Sequence, residues 1–132
     1  MRVLVLALGI PFPPHGGGLA RTFHLLRALS AAHDVVLVGY EYGESHQPPP
    51  YPVRIEAAPW RWSERYETMV GADAEEAQRA TEWLTWKTDE PWFASAVDPG
   101  SMQTALERVL PPRPDLVLLE GTPLARFLPF LP

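Results

Sequence analysis

Apolar residues enter this chain in short unbroken runs, separated by stretches where they recur every third or fourth position; that alternation is the first guide to its architecture. Residues 2 to 8, RVLVLAL, are apolar at nearly every position, as in a parallel strand covered on both faces. Leu19, Phe23, Leu26 and Leu29 then recur at helical spacing, and the helix they predict ends near His33. DVVLVGY, at 34 to 40, predicts a second buried strand. After the break QPPPYP, VRIEA at 53 to 57 alternates in character, which suits an edge strand. Asp73 and Glu76 have the spacing of a capping box, and Ala77, Ala80 and Leu84 continue on one face. A helix is therefore predicted from 74 to about 88, stopped by Pro91. Asp98 and Pro99 predict the N-cap and first residue of another helix, with Met102, Leu106 and Val109 turned inward. DLVLL at 115 to 119 gives a fourth strand, and Thr122-Pro123 opens a last helix that the chain barely begins.

Strands alternating with helices imply an α/β fold: a Rossmann-like, doubly wound parallel sheet with right-handed crossovers and strand order 3-2-1-4. In that order the sheet reverses its direction of growth between strands 1 and 4, and ligands bind in the crevice beyond the carboxyl ends of those strands. Two loops border the crevice, 9 to 18 and 120 to 122. The first lies within LGIPFPPHGGGLART, residues 8 to 22, where rigid prolines give way to Gly16, Gly17 and Gly18 at the start of a helix. Unpaired N–H groups and the positive end of the helix dipole favour an anion there, and glycine lets it approach the backbone. The motif matches neither GxGxxG nor GxxxxGK[ST], so it supports neither a dinucleotide fingerprint nor a P-loop. A turn that needs positive φ explains the glycines equally well. Arg21 falls in the first helical turn, where a cation opposes the dipole by about 0.3–1 kcal/mol. An anionic ligand would account for it; chance placement on the surface is the rival.

Composition narrows the function classes. With 132 residues, of which 46% are hydrophobic, residues 1–132 form a single domain able to bury a core. The formal charge of −5, from 11 Lys+Arg against 16 Asp+Glu, argues against a nucleic-acid partner. The absence of cysteine removes any disulfide framework or thiolate metal site and fits a reducing cytoplasm. Val3 to Leu8 is too short to span a membrane and lacks a signal-peptide cleavage pattern, so a soluble, cytoplasmic chain without a transmembrane segment is expected. All five tryptophans fall between 58 and 92, among more carboxylates than cations, which disfavours a membrane-facing helix. Core packing is their default role, with one or two left to line a ligand groove. Asp73-Ala74-Glu75-Glu76 has the look of a metal cluster, but capping explains it better. His24 is placed on the polar side of its helix, and His33 suits a helix C-terminus.

At this point the residues carry a resemblance. PFPPHGGGLARTFHLLRALSAAHDVVLVGY resembles the N-terminal segment of GT-B glycosyltransferases of the glycosyltransferase 4 type. WFASAVDPGSMQTALERVL followed by PDLVLLEGTPLARFLP is similar to a later part of the same domain. The resemblance implies an enzyme of two Rossmann-like domains, the first holding mainly the acceptor and the second a nucleotide-sugar donor. Residues 1–132 would then be an incomplete N-terminal GT-B domain, a fragment without the C-terminal donor-binding domain, and inactive alone. By the same resemblance, Gly16, Gly17 and Gly18 belong to a loop facing the donor diphosphate and transferred sugar. Glu120 falls where the family has a polar residue, often His, beside the acceptor hydroxyl. It is the catalytic candidate, a carboxylate able to orient or deprotonate that hydroxyl, and a solvated loop residue is the other reading. His15, Arg21 and Thr122 are further candidate ligand contacts. No metal and no cofactor are implied, the nucleotide-sugar being a co-substrate. Two other classes stay open: a non-catalytic Rossmann-like module that binds small molecules or partners, and a fragment that self-associates through the apolar LARFLPFLP.

Overall fold

The apolar runs become one four-stranded sheet. Its strands are β1 (Arg2–Ala7), β2 (Asp34–Glu41), β3 (Arg54–Pro59) and β4 (Leu116–Glu120). They lie in the order β3-β2-β1-β4, and every pairing is parallel, as the alternation predicts. The computed structural model describes residues 1–42, 46–64, 66–67 and 96–132. The helix predicted over 74–88, the Asp73–Glu76 box with Pro91, and Trp83, Trp86 and Trp92 lie outside the described residues.

Position in the sheet explains the patterns. β1 and β2 are hydrogen-bonded on both sides and covered on both faces, so nearly every side chain along them is buried and nearly every one is apolar. β3 and β4 stand at the two edges, where Arg54 and Leu116 are exposed and a half-buried position tolerates Glu56. On one face Val3, Val5, Val35 and Leu37 pack against α1 (Gly16–Ser30) through Leu26, with Phe23 and Leu29 partly buried beside it. The other face carries Leu4, Leu6, Val36 and Val38 against α2 (Gly100–Val109), whose Met102, Leu106 and Val109 point inward as predicted. Each such fully buried side chain stabilises the fold by about 1.5–3 kcal/mol.

The helix ends follow local chemistry. Asp98 Oδ1 accepts the Gly100 N–H at 3.1 Å, and Pro99 already has helical φ and ψ, so the predicted cap operates. α1 stops at Ser30, short of His33, whose N–H still bonds the Leu29 carbonyl at 3.0 Å. Trp60 packs on the core as expected, whereas Trp62 lies at the surface, its ring stacked on Tyr66.

The C-terminal segment departs from expectation. Instead of a helix barely begun, Thr122–Phe130 form a nine-residue 3-10 helix whose Leu124 and Phe127 are fully buried in the α2-side core. In a 3-10 helix positions three apart eclipse one another, which stacks Leu124 over Phe127 on the core side. Pro123 favours the start, and Pro129 has no N–H to continue an α-helix. Of its large apolar side chains, the outer Leu128 and Phe130 are left exposed. Among the described residues no helix is long and apolar enough to cross a membrane.

Candidate functional site

The site begins where β1 ends. The proline-rich loop that follows is held by an aromatic trio: the Phe12 ring meets Phe23 at 5.8 Å and Tyr51 at 5.6 Å, both edge-on, and the Tyr51 hydroxyl donates to the Phe23 carbonyl. This anchoring delivers His15 to the N-cap of α1 in an extended conformation. The side chain of His15 makes no capping hydrogen bond, and no acidic residue stands in the first turn. The opening N–H groups of α1, carried by Gly16, Gly17 and Gly18, therefore lack a side-chain acceptor, and all three glycines are exposed.

The three glycines do not share one cause. Gly16 has φ of 77°, a conformation that demands glycine, so the turn reading holds there. Gly17 and Gly18 have no positive φ, and among the described residues a Cβ built on either would meet nothing within 4 Å. The described fold makes no demand for glycine at these two positions. Gly17→Ala should accordingly raise stability by about 0.4–1 kcal/mol, measured as the shift in urea unfolding midpoint at unchanged slope. A loss of stability would show that the open space is needed by the chain itself.

Across the crevice, β4 delivers Glu120 and then turns at Gly121, whose φ is 132° and whose missing Cβ would lie 2.9 Å from the Leu8 side chain. The close crossing brings Glu120 to Arg21. Their Oε2 and Nη2 atoms are 2.9 Å apart, with Arg21 71% exposed and Glu120 only 16% exposed. The contact is an ion pair without hydrogen-bond alignment, since Oε2 of Glu120 has no hydrogen-bond partner among the described residues. A pair so open to water on one side contributes at most about 1 kcal/mol. It also adds a third account of the cation in the first turn of α1, beside a ligand anion and chance placement: Glu120 faces it.

These pieces enclose a cleft of about 390 Å³ lined by His15, the three glycines, Leu19, Arg21, Thr22 and Glu120, with Leu8, Gly9, Tyr42 and Gly121 completing it. Five of the expected site residues are thus brought together with Glu120. Thr122 is exposed, stands past Gly121 and takes no part in the lining. Tyr42 was not singled out by the sequence, yet its hydroxyl donates to the Leu8 carbonyl at 2.7 Å and its ring rests on Trp60. Among the described residues no group of three or more His, Cys, Asp or Glu is gathered to hold a metal ion. Chemically, the cleft offers unpaired N–H donors and a guanidinium to an anion, and a half-buried carboxylate to a hydroxyl. No protein-family model, curated protein or solved structure matches the chain.

Proposed function

We propose that the chain is the acceptor-side domain of a GT-B glycosyltransferase, working in the cytoplasm, which transfers a sugar from a nucleotide-sugar to an acceptor hydroxyl. The observation that supports it best is the meeting of an uncapped, glycine-opened helix start with a carboxylate in a single cleft. In the reaction, the bond from the sugar's anomeric carbon to the donor phosphate breaks and a bond to the acceptor oxygen forms. Negative charge gathers on the departing diphosphate, where the α1 N–H groups and Arg21 would stabilise it. The acceptor proton passes to Glu120. Arg21 would exchange Glu120 for the diphosphate as the donor enters, which frees the carboxylate to act. The donor's base would be held by a second domain, so residues 1–132 alone are expected to leave sugar nucleotides intact.

A second reading, a non-catalytic module that binds a small molecule in the same cleft, draws on the Arg21–Glu120 pair, because the carboxylate faces a cation rather than a hydroxyl. The complete enzyme, this chain joined to its donor domain, distinguishes the two when it is incubated with a panel of uridine and guanosine diphosphate sugars. Transfer or slow hydrolysis is expected, falling about 10²–10⁴-fold in Glu120→Gln. A Glu120→Gln enzyme that turns over as fast as the parent would remove Glu120 from the chemistry, and no consumption of any sugar nucleotide would favour the binding module.

A further inference from the structure

A second cavity, of about 370 Å³, adjoins the glycine-lined cleft, and His15, Leu19 and Tyr42 border both. Its inner wall is apolar, built from Ile10, Phe12 and the buried Tyr40, and its polar edge is Glu41 and His46. Glu41 closes β2, the strand next to β1, at the same carboxyl end of the sheet. Its Oε1 atom takes two hydrogen bonds from one residue: the His46 backbone N–H at 3.0 Å and the ring Nδ1 at 2.6 Å. Both side chains are about three-quarters buried. The position is held from the next residue as well, where the Gln47 N–H bonds the Phe12 carbonyl at 2.9 Å.

The chemistry follows from that double contact. The two hydrogen bonds hold the Glu41 carboxyl below its ordinary range, so it is ionised at neutral pH and can only accept. Nδ1 must then carry a proton, and in the neutral ring Nε2 is the nitrogen left to accept one. Among the described residues no lysine or arginine lines this cavity, and Glu41 brings a carboxylate to it, so an anion is disfavoured. We propose that the cavity is a binding site for a neutral, hydroxyl-bearing molecule, whose hydroxyl donates to His46 Nε2 and whose less polar side lies on Ile10 and Phe12. Glu41 acts through His46 as its positioning residue. The assignment stands whether or not the neighbouring cleft transfers sugar.

The test uses the chain with ¹⁵N-labelled histidine, His46 being assigned by its loss in His46→Gln. At neutral pH the His46 signals should be those of the Nδ1–H tautomer. Phenyl β-D-glucoside, which joins an apolar ring to hydroxyls, should move Nε2 in a saturable way. In Glu41→Leu, shown to be folded by its melting curve, the tautomer preference should disappear and the affinity should fall about tenfold. Inorganic pyrophosphate should leave His46 unmoved. An Nε2–H tautomer, an absence of saturable response to the glucoside, unchanged affinity in a folded Glu41→Leu, or a response to pyrophosphate as large as that to the glucoside would each overturn the proposal.

Discussion

Gly17→Val should, on the glycosyltransferase reading proposed above, lower kcat/KM for sugar transfer by about 10²–10³-fold while leaving the melting temperature almost unchanged, the range seen when donors to a developing anion are lost. The stability half of this result follows from the backbone. Gly17 has no positive φ and open space around it, and valine in a helix costs no more than glycine does. The activity half follows from the ligand: a branched side chain would stand over the N–H groups that a phosphate must reach. Gly16→Val supplies the contrast. At φ of 77° it should cost about 1–3 kcal/mol of stability through backbone strain. Melting temperature and kcat/KM measured on both variants separate fold from function, and a Gly17→Val enzyme with parental kcat/KM would remove the ligand from the explanation of this glycine.

Phe127→Ala should cost about 3–5 kcal/mol of unfolding free energy, read from urea denaturation. Its ring is fully buried in the core cluster that also holds Leu124, Met102 and Leu106. Domains of this kind hold about 5–15 kcal/mol in all, so the variant would be marginal. Phe130→Ser, by contrast, changes a residue that is 48% exposed and should shift stability by about 0.5 kcal/mol or less. Equal, small effects at both positions would mean that the C-terminal segment is a loose tail waiting for a partner, as its sequence alone suggested.

Strand order could be read from the chain because burial leaves a compositional mark. Unbroken RVLVLA and DVVLVGY can only be central, and alternating VRIEA only an edge. The Asp98 cap was likewise legible, since it depends on neighbours in sequence. The 3-10 character of Thr122–Phe130 was not, because Leu124 and Phe127 fit both helical periods and tertiary packing chose between them. Arg21 meeting Glu120 joins two ends of the chain, and no local pattern encodes such a pair. The Glu41–His46 contact carries a weaker signal. A carboxylate at the carboxyl end of a central strand with a histidine shortly after it is legible from topology, but it lies one strand away from the switch point that marks the default ligand crevice.

Whether the glycine-opened cleft holds a phosphate-bearing ligand is tested most directly by titrating the ¹⁵N-labelled chain with inorganic pyrophosphate and following every backbone amide. Saturable shifts concentrated at Gly16, Gly17, Gly18 and Leu19, with a smaller response at Gly121 and none in Gly17→Val, are the expected result. Shifts scattered over the basic side chains of the surface, or a response in Gly17→Val equal to that of the parent, would contradict it.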